Sequence, residues 1–228
     1  MHVPMKSEHY VAKRFKSRAD WLYGRAKTVG ASEVSIVLGI APPSWGNAKD
    51  LWERKRNPPD EEGGNDDTRR GAAAEEHIRE LLGIENPDLE VVDLTGVIFR
   101  SRKFPWLSCS LDAAIVHPDG TFTVVEIKDV RYTAHWKGGA FPRYYKYQCA
   151  AQMLVTGAKD AILLARISYD FGQGRTRLDR LCAASVREAR IRIRRGDVKG
   201  QFAGIARETK RFWEHVEDGT EPEIVIGR

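Results

Sequence analysis

Cys109-Ser110-Leu111-Asp112 and, fourteen residues beyond that aspartate, Val125-Glu126-Ile127-Lys128 decide how this chain is read. Strand side chains alternate between faces, so Val124, Glu126 and Lys128 share one face while Val125 and Ile127 share the other. The turn His117-Pro-Asp-Gly120 predicts a hairpin between strands over 107–116 and 122–130, which brings Asp112 toward Glu126. A carboxylate and an ammonium on an otherwise apolar strand are costly unless something uses them. Two carboxylates make a hard-oxygen site suited to Mg²⁺, and a lysine beside them can orient or deprotonate a water. That combination suits metal-assisted phosphodiester cleavage. Two plainer readings stay open at this point: Asp112 as a turn cap, and Glu126 with Lys128 as a salt pair on a solvated face. Asp129 points to the opposite face and reads as structural.

At 228 residues the chain is long enough for one well-cored domain. No apolar run approaches a membrane span, and the start Met-His-Val-Pro-Met-Lys lacks a signal-peptide core, so a cytosolic protein is expected. The three cysteines, Cys109, Cys149 and Cys182, are scattered without a CxxC pair, which argues against a disulfide frame or a zinc knuckle. A formal charge of +5 is compatible with a polyanionic partner but is weak support by itself. The six histidines lack HxH or HxxxH spacing, leaving only His135, beside Trp136, worth watching. No glycine loop of the Walker type occurs, so no nucleotide cofactor is expected.

Along the chain, a basic helix is expected over 7–27, then a short helix with Ser32 as N-cap and Gly39 as stop, and another over Ala48–Lys55. Residues 57–67 read as an exposed acidic loop. A helix over about 69–82 precedes strands near 90–100, 107–116 and 122–130. A helix over 143–156 ends at Gly157, followed by strands over 161–167 and near 175–182, the last after the Gly172-Gln-Gly174 turn. The basic stretch 185–217, with five arginines between Arg187 and Arg195, reads as mostly helical. The pattern is one α/β domain with a central mixed β-sheet flanked by helices, its core over about 20–182 and a basic helical extension over about 185–217.

Three further groups bear on chemistry. On the wheel of the 69–82 helix, Ala74, Ile78, Leu81 and Leu82 form the apolar side, and Glu75 sits at its edge, where it either pairs with Arg79 or reaches the strand motif. Gln148 and Gln152 are four apart, hence on one helix face; such amides are usually surface residues or satisfied core polars, and only beside the strand motif is Gln148 a candidate to hold a water or a phosphate oxygen. A helix N-terminus at Ser32 is a natural phosphate site to which Arg25 can add a bidentate guanidinium. From spacing alone, an ordinary cap and a surface arginine account for that pair better.

The order Gly30-Ala-Ser32-Glu-Val, Gly71-x₃-Glu75, Trp106-Leu-Ser-Cys-Ser-Leu-Asp112, Glu126-Ile-Lys128 and Tyr144-x₃-Gln148-x₆-Val155-Thr-Gly157 resembles the lambda-exonuclease/YqaJ-like viral recombinase family. Those are nucleases of the PD-(D/E)XK type. The resemblance runs from about Trp21 to Gly157, with a looser echo in Phe212-Trp-Glu-x₂-Val-x₂-Gly219. It implies a 5′-to-3′ exonuclease on double-stranded DNA that works with a phage single-strand annealing protein, as a ring-shaped homotrimer, in a phage-infected or prophage-bearing bacterial cell. It also implies Mg²⁺, with Mn²⁺ able to substitute, held by Asp112, Glu126, the Ile127 carbonyl and Glu75. Lys128 would activate the water, Gln148 would complete the catalytic set, and Arg25 and Ser32 would bind the 5′-phosphate. The family's usual Ser-Pro-Asp-Gly is here Ser110-Leu-Asp-Ala113. The scattered cysteines exclude the iron–sulfur branch. Two other readings remain: an endonuclease of the same metal chemistry, and a non-catalytic DNA-binding protein.

Overall fold

The computed structural model describes residues 3–58, 66–131, 136, 140–169 and 185–224. The expected strand near 175–182, the Gly172–Gly174 turn, Cys182, His135 and most of the acidic loop lie outside them. In chain order the elements are β1 (Tyr10–Arg14), α1 (Arg18–Ala26), β2 (Val29–Gly30), α2 (Val34–Val37), α3 (Ala48–Arg56), α4 (Asp66–Glu85), β3 (Glu90–Asp93), β4 (Val97–Ser101), β5 (Leu107–Cys109), β6 (Ala113–Val116), β7 (Phe122–Arg131), α5 (Arg143–Thr156), β8 (Asp160–Tyr169), β9 (Ser185–Arg194) and α6 (Arg195–Asp218).

The strands form two mixed sheets. The larger has the order β3-β6-β7-β8-β9, with β7 and β8 parallel and the other neighbours antiparallel. The smaller has the order β1-β4-β5-β2, with β2 and β5 parallel. The parallel pair β7–β8 needs a crossover, and α5 supplies it. Helix α4 covers one face of the larger sheet, seating Ile78 and Leu82 on Ala113, Ile115, Val125, Ile127 and Leu164. Helix α5 packs on the other face, against both sheets and α6. It is buried around much of its circumference, and Ala150 and Ala151 keep it slim enough for close approach. Gly157 closes it in the left-handed region at φ +77°, a conformation that glycine adopts without a Cβ penalty.

The hairpin at 117–120 and the helix over 143–156 fall where the sequence puts them. Four expectations need correction. The helix over 7–27 begins only at Arg18, capped by the Ser17 hydroxyl, which accepts from the Asp20 N–H at 3.1 Å. Before it, Tyr10 and Ala12 point inward from β1 while Val11 is exposed, a strand's period of two that basic residues disguise. The strands near 90–100 and 107–116 are each broken in two. Gly96, at φ +75°, turns the chain so that β3 joins the larger sheet and β4 the smaller. A break at Ser110–Asp112 divides β5 from β6 in the same way. Finally, the basic stretch from 185 opens as strand β9, not helix: Ala189, Ile191 and Ile193 alternate with arginines, and only from Arg195 does the chain become helical. Both parts belong to the core, since Ile193, Val198, Ile205 and Phe212 are buried in it.

Candidate active site

Glu126 is the centre of the site. It lies mid-strand in β7 on the face that α5 covers, and only 1% of it is exposed. The four-residue spacing that puts Gln148 and Gln152 on one face of α5 aims both amides at this carboxylate. Gln148 Nε2 donates to Glu126 Oε1 at 2.5 Å, and Gln152 Nε2 donates to Oε2. Lys128, two residues along the same face of the strand, pairs with Oε1. Both oxygens are therefore engaged, as a buried charge requires; stripping a partner from such a pair costs about 3–5 kcal/mol. Burial pulls the Lys128 ammonium down, but Glu126 and Asp112 outweigh it and hold the group above its ordinary range. Its Nζ also lies 5.4 Å from the centre of the Tyr145 ring, whose hydroxyl burial pushes up to about 12.

Asp112 occupies the break before β6. The antiparallel register pairs Ala113 with Val125, so one further step sets Asp112 opposite Glu126. Its Oδ2 accepts the Ile127 N–H at 2.7 Å, which ties the loop to the strand. Burial and then the Glu126 charge push the Asp112 carboxyl well above its usual range, against the pull of Lys128. Glu75 comes from α4. Burial raises its carboxyl too, and the Glu126 charge adds to that while Lys128 opposes it. Arg79 turns to Asp93 at 3.8 Å. Glu75, Ser110 and Asp112 line one cleft of about 440 Å³, whose far wall is Arg18 and Trp21 of α1.

Arg25 and Ser32 do meet: the guanidinium donates to the Ser32 hydroxyl at 3.1 Å. Ser32, however, is not a helix cap. It lies inside a short 3₁₀ turn over Ala31–Glu33, where the Gly30 N–H is taken by Glu33 Oε2 at 2.7 Å. Glu33 also sits 3.6 Å from Arg25 and 2.6 Å from Lys55 Nζ. Burial pushes the Glu33 carboxyl up, but Lys55 and Arg25 outweigh it, leaving it below the carboxylate range. Arg25 stacks on Trp21 at 4.7 Å, and Arg18 stacks on the same ring at 4.4 Å. Helix α1 thus joins the Arg25–Ser32 pair to the cleft that holds Asp112.

The expected residues therefore fall into three adjoining groups. Glu126, Lys128 and Gln148 are hydrogen-bonded together; Asp112 and Glu75 share the cleft beside them; Arg25 and Ser32 form a pair behind Trp21. Gln148 is turned toward Glu126 and not toward the cleft. Sequence reasoning gave no weight to Gln152, Lys55, Glu33 or Trp21. The spacing of Gln152 from Gln148 was the one signal available for it, and nothing local marks Lys55 as the buried partner of a glutamate 22 residues away. Among the described residues, no three His, Cys, Asp or Glu side chains are already gathered into a metal-binding group. The donor set still fits a hard divalent cation: three carboxylates, two of them raised by burial and further by the Glu126 charge, together with a backbone carbonyl.

A mixed sheet carrying Asp-x₁₃-Glu-x-Lys across a broken hairpin, with a glutamate supplied by a covering helix, is the PD-(D/E)XK nuclease fold. The family model of the YqaJ-like viral recombinase domain matches residues 20–159, and the chain belongs to that family. Among solved structures, the fold is similar to that of an alkaline exonuclease (LHK-Exo) from Laribacter hongkongensis. The two are 22% identical over 88% of this chain and 93% of that one, with a TM-score of 0.63. The same enzyme in complex with dAMP matches at 23% identity with a TM-score of 0.62, over 88% of this chain and 93% of that one. No curated protein matches the chain.

The raised Asp112 carboxyl has a consequence for stability. A folded pKa above the unfolded value means that the fold favours the protonated acid, so ionised Asp112 destabilises the metal-free protein at neutral pH. The penalty fades as pH falls through the raised folded pKa. Asp112→Asn keeps an oxygen for the Ile127 N–H and removes the charge. In EDTA at pH 7 this variant is expected to melt above the parent, by about 2–4 °C for each ~1 kcal/mol relieved. The gap should close on acidification. Scanning calorimetry across pH reads both effects, and an Asn variant that melts lower at pH 7 would refute the charge argument.

Proposed function

We propose that this chain is a Mg²⁺-dependent 5′-to-3′ exonuclease on double-stranded DNA that releases 5′-mononucleotides. The observation that carries the reading is Asp112 set opposite a buried Glu126–Lys128 pair beside an open cleft, in a chain of this family. The similarity to an alkaline exonuclease crystallised with dAMP, itself a mononucleotide, supports it further. Asp112, Glu126 and the Ile127 carbonyl would hold the cation, with Glu75 contributing from α4. Bound there, a divalent cation supplies positive charge to the phosphoryl oxygens and lowers the pKa of water at the site.

The chain's own groups do the rest. Lys128, held in its charged form by Glu126 and Asp112, orients the attacking water and balances the negative charge on the phosphoryl oxygens; a lysine so firmly protonated is a poor base. Gln148 and Gln152 keep the Glu126 carboxylate from rotating. Arg18 and Trp21 form the wall along which the strand approaches. Arg25, with Ser32, receives the terminal 5′-phosphate and so sets the end from which digestion starts. Its anchorage by Glu33 and Trp21 keeps the guanidinium in one place. The resemblance further implies a ring of three copies around the duplex and a partnership with a phage single-strand annealing protein in a bacterial cytoplasm, and we include both in the proposal. Among the described residues no helix is long and apolar enough to cross a membrane.

Linear duplex with 5′-phosphates should be digested in Mg²⁺ and closed circular duplex left intact; cutting of the circle would favour an endonuclease instead. Asp112→Ala should lower the rate by at least about 10²-fold, since removing one stabilising group alone costs about 10²–10³. Undiminished digestion by that variant would end the proposal.

Arg25→Ala should leave digestion measurable but reduce the preference for 5′-phosphorylated over 5′-hydroxyl ends by about tenfold or more, the value of a charge-assisted bond of about 1.5–3 kcal/mol. An unchanged ratio of initial rates on the two substrates would remove Arg25 from that role.

A further inference from the structure

The geometry points to Gln152 as the positioning residue that couples the two carboxylate carriers of the site, Glu126 and the Ser110–Asp112 turn. This assignment rests on the metal-binding reading above. The Gln152 side chain is wholly buried, and its Nε2 donates twice: to Glu126 Oε2 and, at 3.2 Å, to the Ser110 carbonyl. Both partners are acceptors, so only the amide nitrogen can face them, and the orientation of the side chain is fixed. Its Oε1 is left buried without a hydrogen-bond partner, a cost that the double donation offsets.

The two bonds reach different elements. Glu126 belongs to β7, whereas Ser110 leads into the break between β5 and β6 that delivers Asp112. No proline fixes the backbone of Ser110-Leu-Asp-Ala113, and among the described residues three external restraints hold the turn. They are the burial of Leu111, the Ile127 N–H on Asp112 Oδ2, and Gln152 on the Ser110 carbonyl. Gln148, by contrast, donates to Glu126 alone. Gln152 therefore sets the separation of the two carboxylates, and through it the affinity for a cation between them, without touching the cation or the DNA. Residues that orient a ligand in this way typically change metal affinity by 10–100-fold when lost.

Calorimetric titration of the full chain with Mn²⁺, without DNA, tests the assignment. Gln152→Met keeps the volume and removes the donor; it is expected to weaken Mn²⁺ binding by about 10–100-fold while unfolding stays cooperative. Should the Met variant fail to fold, Gln152→Asn keeps an amide but is too short to span both acceptors, and the same loss is expected of it. A purely structural role predicts a lower melting temperature with Mn²⁺ affinity unchanged, and affinity within twofold of the parent in either folded variant would overturn the assignment. Absence of Mn²⁺ binding by the parent chain would overturn the metal reading itself, a result distinguishable from failure of Gln152 alone.

Discussion

The arrangement depends on satisfying one acidic side chain inside the protein. Glu126 sits mid-strand under a helix, where polar oxygens without partners would cost several kcal/mol. Three donors answer it: Lys128 from its own strand, and Gln148 and Gln152 from α5. Those donors explain features that otherwise look arbitrary. A helix packed against both sheets carries two buried amides because the strand beneath it carries a charge. The strand carries a lysine two residues from the glutamate because only that spacing returns to the same face. The strand register then sets Asp112 opposite Glu126, and burial together with the Glu126 charge raises its carboxyl, a penalty that a cation can relieve.

Much of this was legible in the chain because strand alternation and helix periodicity are local rules. The face shared by Glu126 and Lys128, the hairpin at 117–120, the helix over 143–156 and the edge position of Glu75 all follow from spacing within a single element. What was not legible depends on which element lies beside which. Basic side chains on the exposed positions of β1 and β9 imitate a solvated helix until the partner strands are known, and Ala189, Ile191 and Ile193 point inward only because β8 is there to receive them. The breaks at Gly96 and Ser110–Asp112 exist because the chain changes sheets, a global event with a faint local signature. Ser32 reads as a helix cap by sequence, yet Glu33 takes that duty with its own side chain.

The Arg25 cluster follows the same logic as the one around Glu126. A half-buried Glu33 contacts both Lys55 and Arg25, and Trp21 covers the Arg25 guanidinium. Lys55 lies closer to Glu33 than Arg25 does, at 2.6 Å against 3.6 Å, and Arg25 also donates to the Ser32 hydroxyl. Two carboxylates, Glu126 and Glu33, thus organise two neighbouring clusters with α1 between them.

Diffraction from crystals soaked in Mn²⁺ tests the central claim most directly, because an anomalous signal locates the ion without reference to activity. One or two peaks bounded by the Asp112 and Glu126 carboxylates and the Ile127 carbonyl are the predicted result. A well-occupied ion elsewhere, or a site that stays empty at millimolar Mn²⁺ while Lys128 remains on Glu126, would contradict it.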